Sequence, residues 1–248
     1  MNNASPIREI FSSIQGEGYL AGRRQIFIRM ASCNLNCSYC DTDFAASDYC
    51  RVETEPGSLE FERIPGPIVF ERILEIVKAW ISAAPGAHHS ISLTGGEPLL
   101  FAETLAGCLP QLARLLPIHL ETNGSLVSEL GRILPCLTYI SMDMKLPSST
   151  GCGELWDIHR SFLKAAAEKN ISVKIVVSAE TSDMEIRRVC DIINAVRPDT
   201  PLFIQPLTNR DGQCGVESAR LLRFQSLASS FVSDVRVIPQ MHLLMGVM

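Results

Sequence analysis

Three cysteines, Cys33, Cys37 and Cys40, stand with three and then two residues between them in Cys33-Asn34-Leu35-Asn36-Cys37-Ser38-Tyr39-Cys40. A loop this tight can bring three thiolates to one centre, and soft thiolates suit iron–sulfur clusters and zinc. Three ligands on a four-iron cluster leave one iron open. That iron can take the amino and carboxylate groups of S-adenosylmethionine, so that an electron from the cluster breaks the sulfonium bond and yields a 5′-deoxyadenosyl radical. The alternative is a zinc site completed by Cys50, Asp41 or one of the pair His88-His89, although zinc sites more often show C-x-x-C pairs in two places. The other six cysteines (Cys50, Cys108, Cys136, Cys152, Cys190, Cys214) are scattered and read as small core or loop residues.

A second segment able to approach a ligand is Thr94-Gly95-Gly96-Glu97-Pro98. Glycine permits close backbone approach, and Glu97 can face a cation or cap a helix beginning near Pro98. A plain Gly-Gly turn before a helix-starting proline accounts for the same residues.

The elements that position these segments alternate. Strands are expected at 25–30, 90–93, 118–121, 139–143, 172–177, 201–205 and 235–238 from β-branched runs. Helices are expected at 67–84, 154–169, 183–196 and 216–231, with weaker ones at 101–116, interrupted by Pro110, and 125–134. Strand and helix in steady alternation imply parallel strands joined by right-handed crossovers. Roughly six such units argue for an α/β fold of the partial (β/α)6-type, a TIM-like barrel left incomplete. The polar stretch 41–66 reads as a connecting insert or lid within a single domain, 1–248.

With 46% hydrophobic and 20% charged residues the chain is expected to fold around a core. A net charge of −5 argues against a phosphate-binding face, so nucleic acid is not expected as a partner. No apolar run approaches a membrane span and the first residues lack a signal-peptide pattern, so no membrane partner and a cytoplasmic location are expected. Nine cysteines, an odd number, do not suit a complete disulfide framework.

The cysteine spacing, with aromatic Tyr39 just before the last cysteine, and the Thr94–Pro98 segment resemble the radical S-adenosylmethionine superfamily. Within it the chain is similar to the 7-carboxy-7-deazaguanine synthase family. The resemblance rests on 9–18 (Glu-Ile-Phe-Ser-Ser-Ile-Gln-Gly-Glu-Gly), Phe27-Ile28-Arg29, Cys40-Asp41-Thr42, 93–98, Glu121-Thr122-Asn123-Gly124 and 237–242. It implies conversion of 6-carboxy-5,6,7,8-tetrahydropterin to 7-carboxy-7-deazaguanine with loss of ammonia, on a [4Fe–4S] cluster, S-adenosylmethionine and Mg²⁺.

By the same resemblance Cys33, Cys37 and Cys40 hold the cluster and Thr42 ligates Mg²⁺. Ile14, Gln15, Gly16, Glu17, Arg29 and Thr94 form the pterin pocket, where a guanidinium suits the C6 carboxylate. Tyr39, Gly96, Glu97, Ser141, Met142, Asp143 and Gln205 approach S-adenosylmethionine. The segment Ser141-Met142-Asp143-Met144-Lys145 departs from the shorter Ser-Pro-Lys of some relatives, and Leu243 follows His242 where a basic residue is usual. The resemblance also suggests a homodimer and a flavodoxin- or ferredoxin-type electron donor. Other readings are an activase that installs a glycyl radical on a partner protein and, of another class, a non-enzymatic iron–sulfur or zinc-binding module.

Overall fold

Short β-branched and aliphatic runs build one ten-stranded sheet in the computed structural model, which describes residues 7–40, 48–209 and 212–248. The strands are β1 (Ile7–Ile14), β2 (Arg24–Met30), β3 (Tyr49–Glu53), β4 (Phe61–Pro65), β5 (Ser90–Gly95), β6 (Ile118–Thr122), β7 (Tyr139–Asp143), β8 (Asn170–Val177), β9 (Leu202–Pro206) and β10 (Val235–Val237). The helices are α1 (Phe70–Ala83), α2 (Ala102–Leu112), α3 (Val127–Ile133), α4 (Pro147–Thr150), α5 (Trp156–Ala165), α6 (Asp183–Val196), α7 (Ser218–Ser229) and α8 (Met241–Met245).

Sheet order is β10-β9-β8-β7-β6-β5-β2-β1-β3-β4. From β2 to β10 the neighbours are parallel. The six crossovers between them carry α1, α2, α3, α5, α6 and α7. This is the expected partial (β/α)6 arrangement, with ends that do not pair among the described residues. No helix among the described residues is long and apolar enough to cross a membrane.

The seven expected strands are present, and three more were not foreseen. β1 hides behind Glu9, Ser12 and Ser13, polar residues that are nonetheless buried. β3 and β4 fall inside the 41–66 stretch, so this expected insert is in part a hairpin on the sheet edge. Their sequences are short and charged, and guanidinium–aromatic contacts cover them, Arg51 over Phe61 and Arg63 over Tyr49. Helix α6 begins at a capping box between Ser182 and Glu185. α2 runs through Pro110 to Leu112, the proline removing one bond back to the preceding turn without ending the helix there.

Strand side chains alternate between faces with period two. Ile26, Ile28, Ile91, Leu93, Leu120, Ile140, Met142, Val173, Ile175 and Ile204 belong to the hydrophobic core. The intervening residues Arg29, Thr94, Glu121, Ser141, Asp143 and Lys174 border a cavity on the other face.

Candidate active site

The cavity has a volume of about 1130 Å³ and opens where Arg29, Thr94, Glu121 and Asp143 stand at or near the C-terminal ends of β2, β5, β6 and β7. That is the end of a parallel barrel at which sites assemble. Cys33, Cys37 and Cys40 all border it.

Three supports hold the cysteine loop. Glu97 N donates to Ser32 O at 2.9 Å from the turn after β5. Asn123 Nδ2 donates to Asn34 Oδ1 at 2.9 Å from the turn after β6. Ser38 N donates to Thr150 O and Ser38 Oγ to Ser149 O, both at 2.8 Å, on α4. Gly96 is required for the first support, because a Cβ there would lie 1.7 Å from Ser32 O. The Gly-Gly turn thus lets backbone approach backbone, beside the cavity that Gly96 also borders.

The donor set fits a cluster better than one ion. Among the described residues no three His, Cys, Asp or Glu side chains are gathered to hold a single metal ion, whereas three free thiols border one cavity. A four-iron cluster spreads its thiolates over separate irons, and zinc draws them onto one. Burial raises the Cys33 thiol and pushes Cys37 up to about 12, so ligation would have to displace both protons.

Ile14, Gln15, Gly16, Glu17, Arg29 and Thr94, expected at the substrate, all border the cavity. Arg29 and Thr94 are cross-strand partners on β2 and β5. Arg29 Nε donates to Glu9 Oε2 at 3.1 Å and its guanidinium lies over Phe11, so an acidic neighbour aligns it. Gln15 Oε1 accepts from Glu17 N at 3.0 Å, and Gln15 Nε2 donates to Glu121 Oε1 at 3.1 Å. Gly16 packs on the C-terminal segment: a Cβ would lie 2.3 Å from His242 Nδ1.

Of the residues expected at S-adenosylmethionine, Tyr39, Gly96, Ser141, Asp143 and Gln205 border the cavity. Met142 does not. It lies between Ser141 and Asp143 on β7 and the strand period turns it into the core against Gly124. Glu97 is fully buried and serves as a cap, accepting from Leu99 N, Thr122 Oγ1 and Asn123 N. Burial pushes its carboxyl up to about 7 against those donors. Gln205 Nε2 donates to Glu17 Oε1 at 3.2 Å. Thr42 and Asp41 lie outside the described residues.

Several cavity residues were not singled out from sequence. Lys145 Nζ contacts Asp143 Oδ2 at 2.9 Å and Tyr39 OH at 3.0 Å, and Lys174 pairs with Glu17 and, at 3.2 Å, with Asp143. Burial opposes these charges, but the two ammonium groups hold Asp143 down at about 2 and Lys174 holds Glu17 below its ordinary value. Phe11 and Phe27 stack with centroids 5.0 Å apart on the cavity wall. Glu121 sits in a quoted motif. Lys145 ends the quoted segment Ser141–Lys145 but was assigned no role, and Lys174 carried no signal, since lysines in sequence usually read as solvated surface.

The family model of the radical SAM superfamily matches residues 27–178. A 7-carboxy-7-deazaguanine synthase of Geobacter sulfurreducens is 44% identical over 97% of this chain and 96% of its own. Another, of Methanothermobacter thermautotrophicus, is 35% identical over 98% of this chain and 97% of its own. In fold the chain is similar to the crystal structure of QueE from Escherichia coli, with TM-score 0.57, 20% identity, and coverage of 96% of this chain and 94% of that one. With the cysteine loop, the cavity and these near full-length matches together, the chain belongs to the 7-carboxy-7-deazaguanine synthase family of the radical SAM superfamily.

Proposed function

We propose that this chain converts 6-carboxy-5,6,7,8-tetrahydropterin to 7-carboxy-7-deazaguanine with loss of ammonia, in the biosynthesis of 7-deazapurines such as queuosine. The observation that carries the reading is a single cavity bordered by Cys33, Cys37 and Cys40 as well as by Gln15, Arg29, Thr94 and Glu121. Membership of the superfamily implies a [4Fe–4S] cluster and S-adenosylmethionine, which when bound supply the radical that takes hydrogen from C6 of the pterin and returns it after ring contraction.

The chain's own residues orient the substrate. Arg29, aligned by Glu9, offers its guanidinium to the C6 carboxylate. Gln15, whose carbonyl takes Glu17 N and whose amide hydrogens go to Gln25 and Glu121, holds the Glu121 carboxylate toward the pyrimidine edge. Glu17 adds an acceptor for the pterin's amine, held in place by Lys174. Tyr39, Gly96, Ser141, Asp143 and Gln205 face S-adenosylmethionine across the same cavity and orient it toward the substrate.

Thr42, two residues past Cys40, completes a Mg²⁺ site together with the substrate carboxylate and water, because one neutral hydroxyl binds the ion weakly. The chain forms a single domain in which 41–66 is a connecting insert whose described part includes the β3–β4 hairpin. A flavodoxin- or ferredoxin-type donor supplies the electron to a homodimer in the cytoplasm. A glycyl-radical activase or a non-enzymatic metal module would have no use for Gln15, Arg29 and Thr94 beside the cysteines.

Anaerobic reconstitution with iron and sulfide, then reaction with the carboxytetrahydropterin, S-adenosylmethionine, Mg²⁺ and reductant, should release 7-carboxy-7-deazaguanine and ammonia by mass spectrometry. Cleavage of S-adenosylmethionine with the pterin left intact would overturn the substrate.

A further inference from the structure

Beneath the cavity a line of buried polar side chains runs across the sheet from β1 to β7. Gln15 Nε2 lies 3.0 Å from Gln25 Oε1; Gln25 Nε2 lies 2.6 Å from Ser90 Oγ and 3.3 Å from His119 Nδ1; His119 Nε2 lies 2.8 Å from Ser141 Oγ. Gln25, Ser90 and His119 are wholly shielded, and Ser141 borders the cavity.

Direction in this line is fixed at one end. A backbone amide can only donate, so Glu17 N makes the 3.0 Å atom of Gln15 its carbonyl oxygen. The opposite Gln15 atom is therefore the nitrogen, which donates to Gln25 Oε1, and Gln25 in turn directs its own amide hydrogens to Ser90 Oγ and His119 Nδ1. Ser92 Oγ, also 3.3 Å from Nδ1, gives its single hydrogen to Glu121 Oε1 at 2.5 Å, so it donates nothing to Nδ1 and the Gln25 amide alone sets the direction there. His119 Nδ1 is thus an acceptor. Its ring is neutral, since burial lowers its pKa, so the proton resides on Nε2 and is donated to Ser141 Oγ.

We infer that His119 is a positioning residue that turns Ser141 into a hydrogen-bond donor toward S-adenosylmethionine and couples that contact, through Gln25, to Gln15, whose other amide hydrogen holds the cavity-lining Glu121 carboxylate. The assignment of ligands to the two ends rests on the proposed function; the direction of the bonds does not. A pterin that engages the Glu121 carboxylate, and through it the Gln15 amide, firms the relay, so each ligand should tighten the other.

Histidine-15N NMR of the reconstituted, oxidised holoenzyme tests the direction, with the His119 signals identified by their loss in His119→Gln. Nδ1 should appear as a bare acceptor and Nε2 as protonated; the opposite tautomer or an imidazolium overturns the inference. Anaerobic calorimetry of S-adenosylmethionine with and without the carboxytetrahydropterin tests the coupling. The parent should gain on the order of fivefold in affinity from the pterin.

His119→Gln, whose amide reaches the Nε2 position, should keep the affinity for S-adenosylmethionine alone and lose the gain, whereas His119→Phe should lose both. A merely structural role predicts that the two variants behave alike, and that result, or an unchanged gain in His119→Phe, sinks the coupling. If the pterin does not bind the parent at all, the proposed function fails, while the tautomer still decides the role of His119.

Discussion

Lys174 on β8 is ion-paired with Glu17, 157 residues earlier in the chain, and also with Asp143 on the neighbouring strand. The pairing ties the Gly16–Gly18 turn to the sheet, with Gln205 and Gln240 donating to Glu17 from beyond β8. Lys174→Met would leave two largely buried carboxylates facing each other. A fully buried pair broken this way costs about 3–5 kcal/mol, and a pair bordering an open cavity about 2–3. Urea denaturation should report that loss, and Lys174→Arg should recover most of it.

Stability should fall in acid through Asp143. Its folded pKa of about 2 lies below the ordinary value of 3.8, so its contribution is complete above about pH 4 and disappears as pH falls through about 2. The shift corresponds to about 2 kcal/mol. Glu17, also lowered, acts in the same direction. Asp143→Asn should flatten the acid limb of the unfolding free energy measured against pH; an unaltered limb would place the titration elsewhere.

Replacing Cys33, Cys37 or Cys40 by Ala should abolish the cluster's absorption and all cleavage of S-adenosylmethionine. Cys108→Ala and Cys190→Ala should keep both, because those thiols lie on α2 and α6, away from the cavity. Iron and sulfide analysis beside a cleavage assay separates the two groups.

Arg29→Ala should weaken handling of the carboxylated pterin while cluster content and basal S-adenosylmethionine cleavage persist. Loss of a charge-assisted contact of about 1.5–3 kcal/mol lowers kcat/KM roughly tenfold or more. Equal turnover at subsaturating substrate would remove Arg29 from the pocket.

The Mg²⁺ proposal predicts that Thr42→Ala reduces the stimulation of ring contraction by Mg²⁺ without changing cluster content. Thr42→Ser should retain most of it, since both variants lose the same methyl group and only one loses the hydroxyl. Product formation measured across a Mg²⁺ titration distinguishes them.

The cysteine loop, the six-crossover plan and the cavity-bordering residues from Ile14 to Thr94 were legible in the sequence because each depends on local information: ligand spacing, a run of apolar residues, or a motif. Met142 and Glu97 show where local reading ends. Their neighbours belong to the cavity, but the strand period sends Met142 into the core and three donors from two turns claim the Glu97 carboxylate. Strands β1 and β3 were hidden for a related reason, since Glu9, Ser12, Ser13 and Glu53 are buried only once the chain has folded, while β4, with Glu62 and Arg63 exposed, is defined by its pairing with β3.

The roles of Lys174 and His119, and the partners of Lys145, were set by the tertiary structure alone. A lysine becomes a buried anchor only when folding brings carboxylates to it from other strands. A histidine acquires a direction only when an amide far back in the chain decides which of its nitrogens keeps the proton.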